Sequence, residues 1–148
     1  AAGNPQGELE RLIEQAYLTK EQGEAVDLAR VRSFFESALA KRILASENVM
    51  REYRFTVEIT AGDIKPELSG ELRNQSVVLQ GAVDCAFEEN GKLIIVDYKT
   101  DKTNNPKELW ERYHSQLALY KIALEQCTDW KVGECLLYSF GLNAEISY

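Results

Sequence analysis

Asn90 and Gly91 constrain this chain more than any other pair, because they stand between two stretches rich in β-forming residues, 77–88 and 92–99. Both tolerate positive φ, as a type I′ turn requires, so the flanking stretches are expected to fold back as an antiparallel hairpin. With Asn90-Gly91 as a two-residue turn, Glu89 faces Lys92, and stepping back along both strands sets Asp84 opposite Asp97. A four-residue loop from Glu89 to Lys92 keeps that pairing, whereas a three-residue loop would shift every side chain to the other face. Lys99 then lies on the same face as the two acids, with Ala82 opposite it, and Ala86 flanks Asp84 on the other side. The reverse face presents Val83, Cys85, Phe87, Ile94, Val96 and Tyr98, and is expected to pack into the core.

Two like charges directly opposed in a sheet destabilise it unless something compensates. A merely solvated strand face would pair opposite charges, so the opposition points to chemistry. A hard divalent cation between Asp84 and Asp97 would cancel their repulsion and leave positions open for water and a substrate oxygen. Magnesium or manganese suits such oxygen ligands. Lys99 could then orient the nucleophile or stabilise charge growing on a phosphoryl oxygen. Phosphodiester hydrolysis fits this equipment, while a small-substrate phosphatase is disfavoured by the lack of a glycine-rich phosphate cradle.

The rest of the chain frames the hairpin. Leu9, Leu12, Ile13, Ala16 and Tyr17 recur at helical spacing, and Thr19 to Gln22 matches a capping box that opens a short second helix. A third helix is expected from an N-cap at Asp27 to about Ser46, along Leu28, Val31, Phe35, Leu39 and Ile43. From Arg51 the period becomes two: Tyr53, Phe55, Val57 and Ile59 alternate with Glu52, Arg54, Thr56 and Glu58, as in a half-buried strand. Residues 60–75 carry no clear period and read as a long, mobile connection. Asn105-Pro106 gives a cap and an N1 proline for a helix ending near Cys127, and a strand over 132–140 with a short terminal strand follows. At 148 residues the chain suits a single domain, 1–148, with a helical lead over 1–50 and an α/β core over 51–148.

Composition removes several classes of function. The net charge of −7 argues against a surface built broadly to neutralise phosphates. Cys85, Cys127 and Cys135 form no C-x-x-C pair and cannot hold a four-thiolate zinc or iron–sulfur centre, so inert thiols are expected. No apolar run reaches the length of a membrane span. The opening residues lack a basic n-region and an apolar h-region, so the expectation is a cytoplasmic protein or a domain of one.

Three motifs make the reading sharper: Gly81-Ala82-Val83-Asp84; Ile94-Ile95-Val96-Asp97-Tyr98-Lys99-Thr100-Asp101; and Tyr113-His114-Ser115-Gln116-Leu117-Ala118-Leu119-Tyr120. Together they resemble the RecB-family nucleases of the PD-(D/E)XK superfamily, most closely the C-terminal nuclease domain of AddA (RexA) subunits of bacterial helicase–nucleases. Ser33-Phe34-Phe35-Glu36-Ser37 and Arg51-Glu52-Tyr53-Arg54-Phe55 extend the resemblance over nearly the whole chain. It implies an α/β restriction-endonuclease-like fold, a central mixed sheet flanked by helices. It also implies metal ligation by Asp84, Asp97 and the Tyr98 carbonyl, with Lys99 as catalytic lysine. Gln116 and Tyr120 match a Q-x-x-x-Y signature that touches DNA or buttresses the site, and Glu52 matches an acidic support position.

The implied activity is Mg²⁺- or Mn²⁺-dependent exonucleolytic cleavage of single-stranded DNA during double-strand break repair and recombination. An AddB (RexB) partner and helicase domains of the same longer chain, the users of ATP, would hold the DNA. The rival is a catalytically silent DNA-binding or assembly module of the same fold. One departure stands out: the family carries a further metal-binding histidine upstream of the strands, and the single histidine here is His114. The chain is therefore expected to be a piece of a longer protein with weak metal affinity and little activity by itself, and His114 to be solvated or to face DNA.

Overall fold

The computed structural model describes residues 28–147, so the two leading helices, the Thr19–Gln22 box and the Asp27 cap lie outside the described residues. The expected long third helix is two helices, α1 (Leu28–Glu36) and α2 (Ala38–Ala45). Ser37 breaks them. Its backbone is extended (φ −71°, ψ 155°) and its hydroxyl accepts the Ala40 amide, capping α2. The bend brings Phe34 rather than Phe35 into the core, where Phe34 is 3% exposed, and a spacing of i to i+4 across the break could not reveal it.

β1 (Val49–Thr60) alternates as read, with Phe55 and Ile59 buried and Arg54, Thr56 and Glu58 exposed. It pairs antiparallel with β2 (Ser76–Glu89) from Val49↔Phe87 to Thr60↔Ser76. The connection is not the structureless run expected. It holds a short helix, α3 (Ala61–Ile64), and a 3-10 turn over Gly70–Asn74, tied by the Ala61 amide to the Gln75 carbonyl (2.8 Å) and by Arg73 to the Pro66 carbonyl (2.8 Å).

The hairpin to β3 (Lys92–Lys99) forms as the turn residues require, with Asn90 at φ 54° and Gly91 at φ 80°. Its register runs from Glu89↔Lys92 to Cys85↔Val96. α4 (Pro106–Cys127) starts on an Asn105 side chain that accepts the Lys107 and Glu108 amides. It carries the chain over to β4 (Val132–Ser139), parallel to β3, and β5 (Ala144–Ile146) closes the sheet in the order β1-β2-β3-β4-β5. The fold is thus α/β, a mixed sheet with helices on each face.

Both faces of the sheet are buried. On one, Cys85, Phe87, Ile94, Val96 and Tyr98 pack against Phe34, Leu39 and Ile43 of α1 and α2, with Tyr138 and Phe140 edge-on or tilted to Phe34. On the other, Val83, Ala86, Leu93 and Ile95 pack under Leu109, Leu117 and Leu124 of α4. Val83 therefore lies on the α4 side, not with Cys85 as strict alternation predicts. The charged trio's face is also not open: it is the rim of the second core.

Candidate active site

The β2–β3 ladder stops at Cys85↔Val96, one step before Asp84 and Asp97. Instead of a backbone pair there, Asp84 Oδ2 accepts the Tyr98 amide at 2.9 Å, so a side chain takes an amide that a continued ladder would have paired. The expected cross-strand opposition of the two aspartates is thus not a ladder pair, and neither is that of Ala82 with Lys99. Ala82 pairs with Arg54 of β1, while Asp97 and Lys99 pair with Leu137 and Ser139 of β4. Two carboxylates set squarely against each other would repel. Ending the ladder at Cys85↔Val96 spares the two carboxylates a direct cross-strand pair.

The alternation of β2 and β1 breaks at this level too. Val83 and Ala86 face α4 while Cys85 faces α1 and α2, and Met50 and Tyr53 both pack on the α4 side. Glu52, opposite Asp84 between the pairs Arg51↔Cys85 and Tyr53↔Val83, is itself unpaired in the ladder, exposed, and held at φ 45°. A non-glycine residue there is strained.

Asp97 and Lys99 alternate in phase with Leu93 and Ile95 and so share the α4 face. Asp97 is 6% exposed, and its buried Oδ2 has no hydrogen-bond partner, although Lys99 Nζ lies 3.0 Å away as an ion-pair contact. Tyr120 reports on both acids: burial foremost, then the charges of Asp97 and Asp84, push its phenol up to about 12, against a hydrogen bond with Gln116. Gln116 and Tyr120 lie one turn apart on α4 and line a small cavity with Phe55, Leu79 and Gln80. Phe55 meets Tyr120 edge-on at 5.8 Å, an approach that only a glycine at position 81 permits, since a Cβ there would lie 2.9 Å from Phe55 Cζ.

Sequence reasoning missed the groups around Lys99. Its Nζ lies 3.8 Å from the centroid of the Tyr113 ring. The Tyr113 hydroxyl donates to Asp101 Oδ2 at 2.8 Å, and Arg112 meets the same oxygen at 2.7 Å. Tyr113 reads as one more apolar position on a helix stripe, so nothing in the periodicity marks this contact. His114 is exposed and stacks on Trp110. A cleft of about 820 Å³ opens beyond the carboxyl ends of β3 and β4, lined among others by Arg30, Thr100, Lys102, Asn104 and Arg112. Ligands of open α/β sheets bind at such ends.

The donor set suits a hard cation. Asp84, Asp97 and the Tyr98 carbonyl offer oxygen only, and the buried Asp97 Oδ2, whose one close polar neighbour shown is the Lys99 ammonium, is a carboxylate oxygen that a cation would satisfy. Among the described residues no group of three or more His, Cys, Asp or Glu side chains gathers, so the protein supplies few ligands. Burial pushes the Cys85 thiol up to about 12 and the Cys135 thiol up to about 11.

Comparison with known proteins agrees with this geometry. A family model described as the PD-(D/E)XK nuclease superfamily matches residues 3–145. The A-type subunit of the ATP-dependent helicase/nuclease from a Thermoanaerobacter species is 37% identical over 135 residues, which is 90% of this chain. Its counterparts in Clostridium botulinum (Okra) and Acetivibrio thermocellus are each 38% identical, over 92% and 91% of the chain. In all three the match covers 11% of the relative, so the chain spans about a tenth of their length.

Proposed function

Because this chain belongs to the PD-(D/E)XK nuclease superfamily, we propose that it is a divalent-metal-dependent exonuclease domain that cuts single-stranded DNA in a bacterial helicase–nuclease. The observation that carries this reading is the stopped ladder. Asp84 and Asp97 stand where β2 and β3 part, one with an oxygen that no hydrogen bond satisfies, and Lys99 sits beside it. Asp84, Asp97 and the Tyr98 carbonyl would hold Mg²⁺ or Mn²⁺. When bound, the ion supplies Lewis-acid activation of the attacking water and the phosphoryl oxygen.

The chain's own groups do the rest. Asp84 is fixed by the Tyr98 amide, so its remaining lone pairs are aimed without a search over rotamers. Lys99 brings a positive charge to the place where a phosphoryl oxygen gains negative charge. Tyr120 would offer its phenol as a donor toward the backbone of the bound strand, with Gln116 as its partner one turn away on α4.

In this reading residues 1–148 form one nuclease domain of a longer cytoplasmic protein acting in double-strand break repair and recombination. Helicase domains of that chain and an AddB (RexB)-type partner grip the DNA, which reconciles the activity with a net charge of −7. The test is cleavage of end-labelled single-stranded DNA by the helicase–nuclease complex in Mg²⁺. Asp97→Asn and Asp84→Asn are each expected to cut the rate by about a hundredfold or more while ATP hydrolysis continues. Unchanged cleavage by both would favour a catalytically silent assembly module.

A further inference from the structure

The contacts of Lys99 carry an inference that rests on the nuclease reading and goes one step deeper. The ammonium lies beside Asp97 Oδ2 at 3.0 Å and the ring face of Tyr113 at 3.8 Å. Once a cation takes the Asp97 oxygen, that carboxylate no longer offers its full charge to Lys99, and the cation itself repels the ammonium. A lysine on a flexible four-carbon stem would then swing out into water. The ring of Tyr113 is the neighbour whose attraction survives, because an aromatic face draws a cation through its quadrupole and competes with no ligand for Asp97.

That ring is held. Its hydroxyl donates to Asp101, two residues past Lys99 on the same strand exit, and Arg112 clamps the same Asp101 oxygen while also meeting Glu108 at 2.9 Å. The segment that presents the lysine thus also anchors the surface that keeps it in place. We propose that Tyr113, oriented by Asp101 and Arg112, is the positioning residue that holds the Lys99 ammonium at the site when metal occupies Asp97.

Two measurements test this on protein labelled with ¹³C-lysine. In the NMR spectrum of wild type, the Lys99 CεH₂ protons, one bond from the Nζ that lies over the ring, are expected upfield of those of the other lysines, and to remain so with Mg²⁺ added. Tyr113→Leu should abolish that displacement. Tyr113→Phe and Asp101→Ala, which both keep the ring and break its bond to Asp101, should each reduce it without abolishing it. In the complex, Tyr113→Leu should lower kcat about tenfold or more with KM for DNA nearly unchanged, as misplacement of a catalytic group does, and Tyr113→Phe should recover part of that loss. A Lys99 resonance with no upfield displacement in wild type, or one unchanged in Tyr113→Leu, would overturn the proposal. So would a loss in KM alone. Full cleavage by Asp97→Asn would instead defeat the nuclease reading and leave the resonance result standing.

Discussion

At the level of single residues, the site is built from departures from a regular sheet. Asp84 replaces a ladder contact, and Glu52 opposite it bears a left-handed backbone that costs about 1–2 kcal/mol in a residue with a Cβ. Glu52→Gly should therefore raise the stability of the fold by about 0.5–1 kcal/mol despite glycine's greater freedom when unfolded, measured by urea denaturation. If Glu52 also supports catalysis through its carboxylate, cleavage will fall in the same variant; its exposed side chain makes it the weakest of the expected site residues. The register of the hairpin was legible from the turn as far as Cys85↔Val96, because a type I′ turn fixes register. The parting of the strands was not, since it depends on a carboxylate outcompeting a carbonyl for the Tyr98 amide. Nor was the cation–ring contact of Lys99, which joins residues brought together only by the packing of α4 on the sheet.

Among elements, the hairpin, α4 and the alternating strand β1 follow from local chemistry that the chain states openly: Asn-Gly, Asn-Pro and a period of two. The break between α1 and α2 does not, because Ser37 sits inside an unbroken apolar spacing. Burial of the α4 face of the sheet also escaped, since Asp97 and Lys99 share that face with Leu93 and Ile95. What locks α2 to the sheet is Arg42, whose guanidinium donates twice to Glu89 at 2.9 Å and once to Glu134 at 3.0 Å, with Glu145 at 3.7 Å and the Phe87 ring beneath. Its hydrogen bond holds the Glu89 carboxyl below its ordinary value of 4.5. A carboxyl depressed in the folded state adds stability that is present above the unfolded value and lost as pH falls through the folded one. Arg42→Met should hence lower stability at pH 7 by about 1 kcal/mol and flatten the fall below pH 4.5, as followed by thermal melts across pH.

For the molecule as a whole, the proposed reading makes this acidic domain a cutting module whose substrate other domains or partners deliver. Its charge of −7 will repel phosphates at low salt, so free single-stranded DNA should bind the domain weakly, and less weakly as salt screens that repulsion. The metal should likewise bind weakly, in the millimolar range typical of sites with low ligand charge, about 10⁻⁴–10⁻³ M. In the proposed chemistry Asp84 and Asp97 hold the metal together. Crystals of the domain soaked in Mn²⁺ and measured at the manganese absorption edge address that directly. The account predicts one or more anomalous peaks contacting the carboxylates of both Asp84 and Asp97, lost in Asp97→Asn. Saturating Mn²⁺ that scatters elsewhere and leaves both acids without an ion, in a protein that still cuts DNA, would contradict it.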